Sequence, residues 1–137
     1  MKRFLLDTKP AQDFNNNVNG VRQRADFERL RPHRIGICMP VLGELWAGIE
    51  GSDTRDENLR RLRHGLSRLV IWPFDEPAAI EFGHVFTQLK RLGRPIQQID
   101  MQIAAIALSL GNTTVVTADG DLSAVPGLNV ENWSSGR

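Results

Sequence analysis

A set of carboxylates in this chain stands where acid chemistry needs them. Asp7 closes the short apolar run LLDT, Glu44 sits inside VLGELWAG, Asp100 opens the apolar stretch DMQIAAIAL, and Asp119 and Asp121 flank a glycine just after VVT. Val41, Leu45 and Ile49 recur one helical turn apart, which puts Glu44 at the margin of their face, over Gly48. The glycine opens space there for a ligand or a second acid, and a solvated helix edge is the competing reading. Asp100 has Ile103, Ala104 and Ala107 on its own side of the helix, so its carboxylate looks inward. It can cap the helix as well, since aspartate is a favoured N-cap. Asp119-Gly120-Asp121 is first of all a turn signal.

Asp7, Glu44, Asp100 and Asp119 come from different segments, and carboxylates gathered without a cation repel one another more strongly as the site dries. Something positive must therefore sit between them. A hard divalent ion such as Mg²⁺ takes oxygen ligands and is bound through a few carboxylates plus substrate phosphate. Zinc fits less well, because His33, His64 and His84 show no paired ligand spacing and Cys38 is the single cysteine. The chain has no GxSxG turn for a serine hydrolase, no P-loop and no GxGxxG.

The elements that must position these acids alternate. Residues 3–7 and 34–39 (RIGICM) read as buried strands, with a helix at 20–30 between them. Pro40 is tolerated in the first turn of a helix that Gly51 closes, and residues 53–68 form a charged helix with Leu59, Leu62 and Leu66 on one side. LVIWPF gives a third strand ended by Pro73. Residues 76–92 form a long amphipathic helix, Asp100 opens the most apolar one, TTVVT supplies a fourth strand, and a last short strand lies at 127–130. This alternation predicts an α/β fold: three layers, α/β/α, around a four- to five-stranded, mainly parallel sheet with right-handed crossovers. Ligands of such sheets gather beyond the carboxyl ends of the strands, where Asp7 and Asp119 fall.

With 137 residues and 41% hydrophobic content, the chain reads as one domain, 1–137, with a core that needs no staples. A net charge of +1 does not force a nucleic-acid partner. The apolar run after Met1-Lys2-Arg3 is too short for a signal peptide, residues 103–110 are too short for a membrane span, and a lone cysteine suits a reducing compartment. The expectation is a cytoplasmic protein without membrane contact. Trp46, Trp72 and Trp133 belong to cores or interfaces more readily than to base stacking.

The pieces LLDT, PVLGELWAG, PFDEPAAIEFG, GRPIQQIDMQIAAIALSLG and VVTADGDLSAVPGLNVENW run in an order and spacing that resembles PIN-domain ribonucleases, specifically the VapC toxins of VapBC toxin–antitoxin pairs. The resemblance covers nearly the whole chain. It implies a metal-dependent endoribonuclease in which Asp7, Glu44 and Asp100 hold Mg²⁺ or Mn²⁺, Asp119 is the fourth acid and Asp121 stands beside it. Thr117 supports the site by hydrogen bonding, and Thr8 holds the loop after the first strand. Water activated by the metal cleaves RNA, with no side-chain nucleophile. A VapB-type antitoxin, its tail in a groove near the site, and a second copy of the chain are the implied protein partners.

Lys9 departs from the family pattern, which carries asparagine after the Asp-Thr pair. It pairs with Asp7 and competes with metal, reaches a substrate phosphate, or points to solvent. The departure leaves open a second reading, a catalytically weakened PIN domain that binds RNA or protein. Phosphatase and receiver-domain readings fail, as Asp7 lacks the DxD and no acidic pair precedes it. Among the basic residues, Arg55, Arg60, Arg61, Arg63 and Arg68 load one helical region. Lys90, Arg91 and Arg94 fall just before Asp100, where phosphate contacts would position RNA.

Overall fold

The computed structural model describes residues 1–134, so residues 135–137 of the expected span lie outside the described residues. Arg3–Leu6 forms β1, Arg34–Cys38 β2, Val70–Trp72 β3, Thr113–Val116 β4 and Asn129–Glu131 β5. All pairings are parallel, in the order β3-β2-β1-β4-β5. Successive strand residues point to opposite faces, yet β4 is buried at every position and β1 at residues 4–6, so both faces of the sheet are covered. The strands run outward from β1 to β3, and the chain then returns to place β4 on the other side of β1. That reversal is a switch point, and it lies between the ends that carry Asp7 and Thr117.

The helices are Thr8–Asn16 (α1), Val21–Arg29 (α2), Met39–Glu50 (α3), Arg55–Leu66 (α4), Glu76–Arg91 (α5), Gln98–Leu110 (α6) and the single turn Gly120–Ser123 (α7). The amphipathic α5 packs along the apolar α6, which buries Met101, Ile103, Ala104, Ala105, Ile106 and Ala107. Among the described residues, no helix is long and apolar enough to cross a membrane.

Sequence reasoning missed α1. Pro10 reads as a stop, but it occupies the first turn, where its absent N–H would have no intrahelical partner, and Asp7 caps the helix by accepting the Thr8 N–H at 2.8 Å. The Asp-Gly-Asp turn likewise continues into α7, capped by Asp119. Asp100 is not a cap. Gln97 holds that position and Asp100 lies inside the first turn of α6.

One glycine is set by close approach. A Cβ at Gly36, in the middle of β2, would run into the Val70 carbonyl oxygen of β3 and come within 2.9 Å of the Trp72 ring. Gly36→Ala is expected to lower the unfolding free energy by about 2 kcal/mol, because the β2–β3 pairing must part to admit the methyl group. A urea titration of the two proteins, with an unchanged slope and a lower midpoint, checks it.

Candidate active site

The ends of β1 and β4 are laced together by side chains. Asp7 Oδ1 accepts the Thr8 N–H and Oδ2 accepts the Thr117 hydroxyl, both at 2.8 Å. The Thr117 oxygen in turn accepts the Asp119 N–H at 2.9 Å, and Asp119 Oδ1 accepts the Asp121 N–H at 2.9 Å. Thr8 is the first residue of α1 rather than part of a loop, and its hydroxyl donates to Glu44 Oε1 of α3 at 2.7 Å. Thr8 and Thr117 thus orient Glu44 and Asp7.

Asp7, Glu44, Asp100 and Asp119 line one cleft of about 430 Å³, together with Thr8, Lys9, Gln12 and Thr117. A tight carboxylate group has a different membership: Asp100 and Asp119 of the cleft and Asp121 beside it each offer an oxygen within 4.8 Å of the others. Burial pushes the Asp100 carboxyl up to about 6, helped by the charges of Asp7, Asp119, Asp121 and Glu44. Asp7 is also raised, by burial first, against the lowering effect of its bonds from Thr117 and Thr8.

Three charged side chains are buried in the described structure, and only one lacks compensation. Asp13, Glu28 and Asp100 are 4, 5 and 6% exposed. Asp13 receives Lys9 Nζ at 2.8 Å and Asn19 Nδ2 at 3.0 Å, and Glu28 receives Arg24 Nε at 2.7 Å. Among the described residues Asp100 has neither a cation nor a hydrogen-bond donor. A buried carboxylate surrounded by like charge is costly unless a cation joins it. The donor set is oxygen only, which suits a hard divalent ion.

Lys9 does not compete for the site. Its ammonium turns to Asp13, one helical turn along α1, and not to Asp7. Gly48, expected to open space beside the acids, instead lines a neighbouring groove between α1, α3 and α4 with Asn15, Leu45, Asn58 and Arg61. Gln12, which sequence reasoning did not single out, lines both groove and cleft and so joins them. The signal for it was its place one helical turn after Thr8 on α1.

The remaining candidates are engaged elsewhere. Cys38 is buried and its thiol is pushed up to about 12, chiefly by burial, so it is no nucleophile. None of the three histidines lines the acidic cleft. Trp72 and Trp133 are in the core, and Arg63 lies over the Trp46 ring at 5.7 Å. Arg55 pairs with Glu50, Arg61 with Glu57 and Arg68 with Asp26. Of the basic residues before Asp100, Lys90 and Arg91 are exposed in the last turn of α5, and only Arg94 reaches an acid, Asp121 at 2.7 Å.

Known proteins are similar to this chain over nearly their full length. The family model for the PIN domain matches residues 5–128. The tRNA(fMet)-specific endonuclease VapC of Salmonella typhimurium is 31% identical over 97% of this chain and 99% of its own. Ribonuclease VapC2 of Haemophilus influenzae is 33% identical over 97 and 99%. Among solved structures, VapBC2 from Rickettsia felis bound to a DNA fragment from their promoter superposes with a TM-score of 0.89 at 28% identity, covering 96% of this chain and 99% of that one. DNA-bound VapBC from Salmonella typhimurium gives 0.86 at 31%, over 97 and 99%. The chain belongs to the PIN-domain family and, within it, to the VapC ribonucleases.

Proposed function

We propose that this chain is the endoribonuclease toxin of a toxin–antitoxin pair, a single PIN domain that acts in the cytoplasm and hydrolyses RNA with Mg²⁺ or Mn²⁺. The observation that carries the reading is Asp100: a buried, uncompensated carboxylate with Asp7, Glu44 and Asp119 converging on its cleft. These four residues would hold the ion. When bound, it supplies a Lewis acid for the phosphoryl group and makes water nucleophilic at neutral pH. The protein's own part is positional. Thr117 fixes one oxygen of Asp7 and the backbone of Asp119 together, Thr8 aims Glu44, and the rigid ends of β1 and β4 keep the spacing.

The solved relatives are VapBC complexes, which supports a VapB-type antitoxin as partner. The groove beside the cleft, joined to it through Gln12, is a path along which an antitoxin tail would reach the acids. A guanidinium from that tail would neutralise them in place of metal. Phe82 and Phe86, one turn apart on α5 with Phe86 half exposed, form an aromatic face suited to a homodimer. The alternative, a weakened binding module, rests on Lys9 standing where the family carries asparagine; with its ammonium on Asp13, Lys9 does not pair with Asp7 in place of metal.

Cleavage of total cellular RNA by the purified chain tests the proposal. The Salmonella relative's name makes transfer RNA the first band to watch. Discrete cuts with Mg²⁺ or Mn²⁺ that vanish in EDTA are expected. Intact RNA under every metal, from folded and antitoxin-free protein, would sink the nuclease reading.

A further inference from the structure

Among the described residues, Arg94 is the basic side chain that touches the acidic cluster. Its Nη2 donates to Asp121 Oδ1 at 2.7 Å and its Nη1 to the Pro95 carbonyl at 3.3 Å, while its backbone N–H is tied to Leu89 O at 2.9 Å. The side chain is 47% exposed. A guanidinium carries five N–H donors in a rigid fork, so most of them remain available toward solvent beside the acidic cluster. Asp121 in turn lies with an oxygen within 4.8 Å of Asp100 and Asp119. An exposed ion pair of this kind adds little to stability. Its value is therefore one of placement.

We infer that Asp121 is a positioning residue for Arg94, and that Arg94 binds a backbone phosphate of RNA next to the one being cut. The inference rests on the ribonuclease reading and divides the labour within the cluster. A guanidinium 2.7 Å from the Asp121 oxygen opposes a divalent ion on the same carboxylate, so Asp121 stands outside the ion-holding set although one of its oxygens also lies within 4.8 Å of those of Asp100 and Asp119. The planar fork suits two phosphate oxygens, which an ammonium cannot match. Lys90 and Arg91, without an anchoring acid, are not held for this task.

The test compares wild type, Arg94→Ala, Arg94→Lys, Asp121→Asn and Asp119→Asn, each checked for a cooperative melting transition no lower than that of wild type. Bulk transfer RNA is the probe, bound in Ca²⁺ with its integrity followed on a gel, at several salt concentrations. Mn²⁺ binding is measured separately by calorimetry. Arg94→Ala and Asp121→Asn are expected to weaken RNA binding about 5- to 10-fold, with Arg94→Ala lowering the salt slope by about one. Arg94→Lys recovers only part. Mn²⁺ affinity stays within about twofold of wild type in both, whereas Asp119→Asn loses at least about tenfold. RNA binding unchanged in Arg94→Ala, no RNA binding by wild type, or an Mn²⁺ loss in Asp121→Asn equal to that in Asp119→Asn would each overturn the inference. Failure of wild type to cleave, with these binding differences intact, would remove the nuclease reading alone.

Discussion

Asp100→Asn is expected to lower RNA cleavage at least about 10³-fold and, at the same time, to make the metal-free protein more stable at neutral pH. The first effect follows from removing the innermost charge of the cleft while keeping its shape. The second follows from the environment of that charge. Burial and four neighbouring acids push the Asp100 carboxyl up to about 6, above the ordinary 3.8. Between these values the folded chain keeps a proton that the unfolded chain releases. Stability from this group is therefore complete below about pH 4 and is lost as pH climbs past 6. Asparagine carries no such charge. The variant should melt about 3–6 °C above wild type at pH 7.5 in EDTA, and the gap should close toward pH 4. Saturating Mn²⁺ should reverse the order, since only wild type gains from the ion. Scanning calorimetry across pH, with and without Mn²⁺, reads all three. A variant less stable than wild type in EDTA at pH 7.5 would show that Asp100 is not crowded by like charge.

The same electrostatics explain which parts of the site were readable in advance. An acid at a strand end and an acid on the apolar side of a helix are both local patterns, and Asp7 and Asp100 were found that way. The inward aim of Asp100 held because Ile103, Ala104 and Ala107 are all buried on its side of α6. Its second expected role, as a cap, failed by three residues. Local signals also misled where one residue type serves two purposes. Pro10 ends strands and begins helices, and only the Asp7 side chain bonding to Thr8 N–H decides for α1. The Asp-Gly pair that marks a turn also opens α7.

What could not be read at all are pairings between distant segments. Thr8 to Glu44 and Arg94 to Asp121 join residues that only the tertiary fold brings together, and for Thr117 the resemblance implied a hydrogen bond to the site but not its partner, Asp7. Gly48 opens space, as expected, but onto the neighbouring groove and not the acidic cleft: a helix period says which residues share a face, but not which neighbour that face meets. The sheet itself came out all parallel with five strands, within the range that alternation of strands and helices predicts. Lys9 illustrates the limit most directly. Next to Asp7 in sequence, it is drawn instead to Asp13, because at four residues' spacing on α1 the two side chains meet.

Thr117→Val is expected to cost about 10- to 100-fold in cleavage and a similar factor in Mn²⁺ affinity, although valine matches threonine in shape. The hydroxyl does two things at once: it donates to Asp7 Oδ2 and accepts the Asp119 N–H. Replacing it with a methyl group leaves a half-buried carboxylate oxygen and a backbone donor without partners, and frees both acids to turn. It also moves a titration. The bond from Thr117 lowers the Asp7 carboxyl against burial, so its loss lets burial raise that group further. Metal binding requires the deprotonated acid. The acid limb of the pH profile should therefore shift to higher pH in Thr117→Val, and the loss should be worse at pH 6 than at pH 8. Thr117→Ser keeps the hydroxyl and should restore both the rate and the limb. A uniform loss at every pH, not rescued by serine, would mean that Thr117 acts through packing in the β4 end and not through its bond to Asp7.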